Sequence, residues 1–282
     1  MLPLNAMNAG KYNPERGVRM PAIVQPKLDG WRVVWKDGAL FTRSNKRLTN
    51  PPRVIAALKT YFADFVLDGE LVGESFRSIA STAGTRTRTV DDPQAHFKAF
   101  DVLRYDDEEA MGYPLRKRLI LLSDIFAHAG QPADCPVSLL EWQVIEPGTD
   151  PVELAYGYKL RGQEGGMVKY LHATYQPGLR PLSGVWEKIK FDKEVDATIT
   201  GVKPGEASFT GMVGALHVLT DTGIECKVSS GLTHEQRRDF QRRHDAGQLA
   251  GVRITCLLAD DNSKIDKRFG RFLKEVRERN DL

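Results

Sequence analysis

The hydrophobic pattern of the N-terminal part of the chain mixes strand and helix periods. The segment WRVVWKDGALFTRS, from Trp31 to Ser44, places two apolar runs around a Lys-Asp-Gly turn, which predicts a β-hairpin. Asn50 and Asp150 are each followed by proline, which is typical of the start of a helix, and apolar residues at helical spacing come next. We expect helices at 50–62, 115–129 and 150–162, and strands at 65–72, 99–103, 166–170 and 186–191.

Two stretches of this part depart from a regular pattern. The run Asp68-Gly69-Glu70 is expected to interrupt the strand at 65–72. Residues 73–95 are polar and rich in Ser, Thr and Arg, so we expect a surface loop there.

The pattern changes after Asp192, where short alternating segments are separated by Gly-rich turns. A helix at 232–246 begins with a Thr233-x-x-Gln236 capping box. Several short strands and one helix in a segment of this size predict a small β-barrel of the OB type. The expected strands lie at 195–201, 211–219, 223–228 and 252–258. The sequence therefore predicts two domains, residues 1–191 and 192–282.

Composition narrows the classes of protein. The 282 residues are 41% hydrophobic and 27% charged, which is typical of a globular chain with a sizeable core. No apolar stretch is long enough to cross a bilayer, and no signal peptide is evident, so we expect a cytoplasmic protein without a membrane partner. The cysteines at 135, 226 and 256 form no metal or disulfide framework. A net charge of +3 is compatible with a nucleic-acid partner but does not argue for one.

The candidate chemistry lies in an ordered series of short motifs. Lys27 begins KLDG and is followed by Arg32, a match that is weak by itself because so short a run recurs by chance. The later motifs are LDGE ending at Glu70, Phe100-Asp101, EGGMVK over 164–169, and WEKIK over 186–190. Their order and spacing carry the interpretation.

With these motifs the chain resembles the covalent nucleotidyltransferase superfamily, which unites ATP-dependent DNA ligases with mRNA capping enzymes. KLDGWR looks like the nucleotidyl-acceptor motif, and the similarity runs from about residue 22 to 191. The later stretch GMVGALHVLTDTGIECKVSSGLTHEQR is similar to the OB domain of small phage-type and minimal bacterial DNA ligases. The resemblance implies an α+β fold, in which a mixed α/β nucleotidyltransferase (ATP-grasp-like ligase) domain precedes an OB-fold β-barrel.

The resemblance also implies a covalent lysyl–AMP intermediate on Lys27. A lysine with a pKa of about 10.4 is almost wholly protonated at neutral pH, whereas attack on a phosphate needs a neutral amine. Nearby cations favour the neutral amine and also balance charge on the α-phosphate. Arg32, Lys188, Lys190 and a divalent metal are the candidates.

The remaining roles follow position by position from the same resemblance. Lys188 and Lys190 would grip the α-phosphate, and Glu164 would help to hold Mg²⁺ or Mn²⁺. The nucleotide pocket would comprise Gln25, Lys27, Arg32, Glu70, Phe100 and Lys169, with Phe100 stacked on adenine and with Glu70 and Arg32 near the ribose. Asp29 would position the nicked ends, and DNA phosphates would meet Arg43, Arg86 and Arg88, although a solvated loop explains the last two equally well.

The favoured interpretation is an ATP-dependent DNA ligase that seals 3′-OH/5′-phosphate nicks, with nicked duplex DNA as partner, in replication, repair or recombination. We expect a monomer without an obligate protein partner. The alternatives are a capping-type guanylyltransferase, an RNA ligase, or an inactive nucleic-acid-binding relative. GMVGAL and SGLTHEQR favour the ligase over the capping enzyme. The sixth motif of the family is not securely placed, and its candidates are Arg271, Arg277, Arg279 and Asp281.

Overall fold

A computed structural model describes residues 6–85, 88–178, 184–259 and 269–275, which fall into two compact units, Met1–Lys190 and Phe191–Leu282. The helices of the described residues are α1 (Pro52–Tyr61), α2 (Phe76–Gly84), α3 (Leu115–His128), α4 (Pro151–Leu160) and α5 (His234–Asp245). Two short 3₁₀ helices lie at Pro14–Arg16 and Ala207–Phe209.

The strands of the first unit form two sheets within the described residues. They are β1 (Gly10–Lys11), β2 (Ala22–Lys27), β3 (Trp31–Lys36), β4 (Ala39–Thr42), β5 (Arg47–Leu48), β6 (Val66–Val72), β7 (His96–Tyr105), β8 (Glu108–Glu109), β9 (Val137–Leu139), β10 (Gln143–Ile145), β11 (Gly165–Tyr170) and β12 (Trp186–Lys190). The first sheet has the order β1-β12-β11-β2-β10. The second has the order β5-β4-β3-β6-β7-β8, and β9 pairs with β7.

Alternation along β3 shows how the second sheet separates two cores. Val33 and Trp35 are fully buried in a cluster that includes Val54 and Leu58 of α1. Val34, which points to the opposite face, packs in another cluster with Phe100, Trp186 and Tyr175. The period-2 geometry of a strand therefore places apolar residues on both faces, one against helices and the other toward the first sheet.

The predicted hairpin is confirmed, and its turn has positive φ at both central residues, 49° at Asp37 and 71° at Gly38. Such a turn matches the right-handed twist of the flanking strands. The helices predicted at 50–62, 115–129 and 150–162 correspond to α1, α3 and α4.

Two local predictions were wrong. Residues 73–95 are not loop throughout, because α2 occupies Phe76–Gly84: Ser75 caps its first turn, and Ile79 and Ala83 are buried in the core. The strand β6 is not interrupted at Asp68-Gly69-Glu70. Instead, its pairing with β7 shifts register between Asp68 and Gly69, so that a bulge replaces the expected break.

The second unit is a closed barrel, which confirms the predicted OB-like architecture. Its strands are β13 (Asp192–Pro204), β14 (Val213–Thr220), β15 (Glu225–Ser230), β16 (Arg253–Ala259) and β17 (Phe269–Glu275), in the order β13-β14-β15-β17-β16. The capping box of α5 is formed, with Gln236 N donating to Thr233 Oγ1 at 3.1 Å and Thr233 N donating to Gln236 Oε1 at 2.8 Å. Phe240 of this helix packs edge-on against Phe272 in the barrel core.

No helix in the described part of the chain is long and apolar enough to span a membrane.

Candidate active site

A cavity of about 230 Å³ in the first unit is lined by most of the residues that the sequence predicted for the site. One face of three adjacent strands supplies much of its lining, because β2 and β12 both pair antiparallel with β11. The lining residues are Asn8, Ala9, Gln25, Pro26, Lys27, Leu28, Arg32, Arg43, Glu70, Phe100, Leu140, Met167, Lys169, Trp186 and Lys188. Residues two apart on a strand share a face, which explains the pairs 25/27, 167/169 and 186/188.

Two glycines of the motifs allow close approach of backbone around this cavity. A Cβ at Gly30 would lie 2.3 Å from the carbonyl oxygen of Leu71 and 2.7 Å from Cγ of Glu70. Gly165 has φ +141°, and a Cβ there would lie 2.2 Å from the carbonyl oxygen of Ile189. A larger residue at Gly30 would collide with β6, and one at Gly165 would collide with β12.

One end of the site is a chain of alternating charges. Glu164 accepts a short hydrogen bond from Nζ of Lys27, and its Oε2 lies 3.1 Å from Nζ of Lys190. Burial acts to raise the pKa of Glu164, but the two ammonium groups outweigh burial and hold that pKa below its ordinary value. The carboxylate is therefore ionised and balances both lysines. We call Lys27, Glu164, Lys188 and Lys190 the phosphate end.

The opposite end is aromatic and contains buried polar groups without partners. Lys169 is 2% exposed, and its Nζ lies 3.8 Å from the ring centroid of Trp186 and 4.4 Å from that of Phe100. Neither this Nζ nor the side-chain amide of Gln25, which is 1% exposed, has a hydrogen-bond partner among the described residues. Burial lowers the pKa of Lys169 to about 7. We call Gln25, Phe100, Lys169 and Trp186 the base end.

Between these ends, Glu70 and Arg32 lie in different environments. Burial raises the pKa of Glu70 to about 7, despite the nearby charges of Lys27 and Arg32. Arg32 is held by Asp68, to which its Nε and Nη2 donate at 3.0 and 2.6 Å. Its Nη1 also donates to the carbonyl oxygen of Met7. Arg32 is thus fixed by the protein before any ligand binds.

The N-terminal segment closes one side of the cavity. Met7 N donates to Tyr175 Oη at 3.1 Å, and this hydroxyl donates to Asp68 at 2.7 Å. Burial and the Asp68 carboxylate raise the pKa of Tyr175 well above its ordinary value, so its hydroxyl remains a donor. The next residue, Asn8, accepts a hydrogen bond of 3.0 Å from Nη1 of Arg43, and both side chains line the cavity.

Of the residues predicted to bind DNA, only some lie at the cavity, in contrast to those predicted to bind the nucleotide. Arg43 lies at the cavity, whereas Asp29 lies two residues beyond Lys27, outside the lining. The side chain of Arg88 is exposed, and its carbonyl oxygen accepts from Nδ2 of Asn50 at 3.1 Å. Arg86 lies outside the described residues, as do Arg277, Arg279 and Asp281 and the side chain of Arg271.

Four residues of the site were not identified from the sequence: Asn8, Asp68, Tyr175 and Trp186. Trp186 had a usable signal, because it lies two and four residues before Lys188 and Lys190 on one strand and so shares their face. Asp68 and Glu70 are related in the same way on β6. Asn8 and Tyr175 carried no such signal, since their contacts join residues more than thirty positions apart.

The phosphate end fits a magnesium ion that is shared with a nucleotide. Among the residues that the structure describes, no three His, Cys, Asp or Glu side chains converge as a self-sufficient metal site. Mg²⁺ commonly takes one or two protein carboxylates and completes its shell with phosphate oxygens and water. The ionised Glu164, partly exposed beside two lysines, is a donor of that kind.

Comparison with known proteins identifies the family. Residues 13–190 match the family model of the ATP dependent DNA ligase domain, and residues 204–274 match that of the DNA ligase OB-like domain. The architecture is thus that of a nucleotidyltransferase domain followed by an OB-like domain. The chain belongs to the ATP-dependent DNA ligase family, as its sequence motifs predicted.

Relatives include a probable DNA ligase of Streptomyces griseus, 32% identical over 240 residues, and a DNA ligase of Haloarcula marismortui, 30% identical over 250 residues. The alignments cover 77% and 79% of this chain but 44% and 43% of those proteins, so the chain spans less than half of their length. A solved Lig E DNA ligase has a similar fold, with a TM-score of 0.77 and 24% identity, covering 97% of this chain and 100% of that one.

Proposed function

We propose that this protein is an ATP-dependent DNA ligase that seals nicks between a 3′-hydroxyl and a 5′-phosphate in duplex DNA. The observation that carries the proposal is the position of Lys27, which lies at the phosphate end of a cavity whose other end offers buried, unpaired polar groups to a base. Such a cavity suits one nucleotide with its phosphates directed toward Lys27.

In the first step, Nζ of Lys27 attacks the α-phosphorus of ATP. A nitrogen–phosphorus bond forms, the bond to the bridging oxygen of the β-phosphate breaks, and pyrophosphate leaves. Lys27 in its ion pair with Glu164 is an ammonium, and its nitrogen lone pair carries a proton. The pair must therefore open, and the ammonium, whose side chain is partly exposed, must pass its proton to solvent water before the amine attacks. Lys188 and Lys190 remain to balance charge that develops on the α-phosphate.

The base end supports a preference for adenine. The amide of Gln25 offers a donor and an acceptor, and Nζ of Lys169 offers further donors, all without partners among the described residues. Leaving such groups unpaired is costly, so a base that satisfies them is bound selectively. Phe100 supplies an aromatic face, and Glu70 and Arg32, which also line the cavity, would lie near the ribose.

A divalent cation, Mg²⁺ or Mn²⁺, would be held by Glu164 together with phosphate oxygens. When bound, it would supply positive charge that offsets the phosphate charge. The residues of this chain would still perform the positioning: Glu164 contacts both lysines, and its Oε2 lies 3.1 Å from Nζ of Lys190.

In the later steps, the 5′-phosphate of the nick attacks the phosphorus of lysyl–AMP, which releases Lys27 and forms DNA–adenylate. The 3′-hydroxyl then attacks the 5′-phosphate, and AMP leaves. Arg43, which lines the cavity, would bind this phosphate, and Asp29 would position the ends. Arg86 and Arg88 would add backbone contacts that weaken with salt. The monomeric state, the cytoplasmic location and the domain boundary at residue 191 remain predictions.

The test uses a duplex with one nick whose 5′-phosphate carries the label, incubated with Mg²⁺ and with ATP, GTP or NAD in separate reactions. We expect a full-length labelled strand in the ATP reaction and not in the GTP or NAD reactions. The Lys27→Ala variant should form none. A parallel reaction offers diphosphate-ended RNA with GTP. Guanylyl transfer to that RNA, without sealing of DNA, would overturn the proposal in favour of a capping enzyme.

A further inference from the structure

We infer that Asn8 is a phosphate-binding residue, which donates its side-chain amino group to a phosphate oxygen at the mouth of the cavity. The inference rests on the proposed function, because the phosphates available are those of ATP and the 5′-phosphate of a nick. It adds to the site a residue that lies outside the sequence motifs.

The contact with Arg43 fixes the orientation of the Asn8 carboxamide. A guanidinium only donates hydrogen bonds, so the atom that faces Nη1 at 3.0 Å is the oxygen Oδ1. The amino group Nδ2 consequently points away from Arg43. It has no hydrogen-bond partner among the described residues, while the side chain lines the cavity. Two N–H donors therefore remain available next to a cation.

The backbone on both sides of Asn8 is held firmly. Ahead of it, Met7 is fully buried, and its main-chain groups bond to Tyr175 and Arg32. Behind it, Gly10 and Lys11 form β1 alongside β12, and Tyr12 N donates to the carbonyl oxygen of Lys188 at 3.1 Å. A short segment fixed at both ends presents the Asn8 side chain with little freedom, which lowers the entropic cost of binding.

Arg43 and Asn8 together have the chemistry of an anion site. A guanidinium beside neutral N–H donors binds a phosphate through charge and several hydrogen bonds at once. Lys27 and Lys190 are balanced by Glu164, whereas no carboxylate within salt-bridge distance of Arg43 is found in the described residues.

Asn8→Asp and Asn8→Ala separate donation to a phosphate from mere support of Arg43. Aspartate keeps an oxygen that accepts from Arg43, but it lacks the two donors and adds a negative charge. If Asn8 only holds Arg43, Asn8→Asp will match the wild type. If Asn8 donates to a phosphate, we expect Asn8→Ala to lose about tenfold in the affected step and Asn8→Asp to lose more. Glu15→Gln, an exposed change in the same segment, is the matched control.

Two single-turnover reactions of the full chain distinguish the source of the phosphate. The first follows adenylation of the free enzyme by ATP, and the second follows AMP transfer from isolated adenylated enzyme to nicked DNA. A deficit in the first assigns Asn8 to an ATP phosphate, and a deficit in the second assigns it to the 5′-phosphate. In the second case, the wild-type enzyme should bind a nick with a 5′-phosphate more tightly than a nick with a 5′-hydroxyl, and the variants should lose this difference in affinity. A general loss of stability would not remove it.

Wild-type rates in both steps, or an Asn8→Asp variant as active as the wild type, would overturn the inference. The wild-type enzyme tests the proposed function separately. If it forms no adenylate and seals no nick, the proposed function fails; if it does both while the variants match it, only the role of Asn8 fails.

Discussion

The two ends of the cavity differ in how their polar groups are paired within the protein. At the phosphate end, Lys27 and Lys190 are balanced by Glu164, and the carboxylate is shared between them. At the base end, Gln25 and Lys169 are almost fully buried and their polar atoms have no partners among the described residues. The charged groups of Lys27, Glu164 and Lys190 are thus paired with one another, whereas the polar atoms of Gln25 and Lys169 lack hydrogen-bond partners among the described residues.

If the protein binds ATP as proposed, this difference predicts which interactions would exchange. Phosphates at the first end would compete with Glu164 for the lysines, so binding there would replace one charge pair by another. A base at the second end would break no hydrogen bond of Gln25 or Lys169 and would supply partners to both. We therefore expect affinity and base selectivity to come mainly from the base end, and rate mainly from the phosphate end.

The largest effect is expected for Glu164→Gln. Adenylation should slow by about 10²-fold or more, because the variant loses the carboxylate that orients two lysines and would hold the metal. Binding of ATP without divalent cation should become tighter, because the lysines lose a competitor for the phosphates. Stopped reactions with labelled ATP measure the rate, and filter binding measures affinity.

The matched control for Glu164→Gln is Glu141→Gln, whose carboxylate is exposed and paired with Arg161. It should leave both quantities at wild-type values. If Glu164→Gln bound ATP more weakly in the absence of metal, this would contradict the idea that Glu164 competes with the phosphates for the lysines.

A smaller effect is expected for Gln25→Leu, which should raise the stability of the protein but lower its affinity for ATP. Removal of a buried amide with no partner should stabilise the ligand-free protein by about 1–3 kcal/mol. The affinity for ATP should fall about tenfold, because the base loses hydrogen bonds. Urea unfolding and equilibrium binding measure the two changes, and Gln143→Leu, at an exposed position, is the control. Destabilisation by Gln25→Leu would show that the amide already has a partner.

The effect predicted to be smallest per pH unit is the dependence of stability on pH. Burial lowers the pKa of Lys169 to about 7, so above that pH the folded protein has lost a proton that an unfolded lysine keeps up to about pH 10.4. The unfolded state binds more protons in this window, and stability rises with pH by at most ~1.4 kcal/mol per pH unit. Lys169→Met should abolish the rise.

Glu70 acts with the opposite sign below neutral pH. Burial raises its pKa to about 7, so the folded protein keeps a proton that an unfolded glutamate has lost above about pH 4.3. Stability should therefore fall as pH rises through this window, and Glu70→Gln should remove that fall. Urea unfolding over a pH series tests both variants, and unchanged slopes in either would contradict the assigned burial.

The sequence named all four residues of the phosphate end as candidates, and at the base end it named Gln25, Phe100 and Lys169 but not Trp186. Lys27, Glu164 and Lys190 lie in motifs whose charged residues are local and recognisable, and the structure brings them together. Trp186 and Asp68 could have been found by following strand alternation from Lys188 and Glu70. Tyr175 and Asn8 could not, because their positions depend on pairings between remote segments that no local period encodes.

The same reasoning explains which parts of the fold were predictable. The hairpin at Trp31 and the capping box at Thr233 have local signals, and both are present. The helix α2 was missed because only Ile79 and Ala83, with Thr82, are buried in an otherwise Ser- and Thr-rich stretch. Its helical face became apparent only through packing against the core.

Covalent adenylation of Lys27 is best tested by the mass of the intact protein. After incubation with ATP and Mg²⁺, we predict one added AMP that is absent in Lys27→Ala and is discharged by nicked duplex DNA. GTP and NAD should leave no adduct. A GMP adduct, an AMP adduct that survives Lys27→Ala, or no adduct on protein shown to start unmodified would show that Lys27 is not the adenylated residue of a DNA ligase.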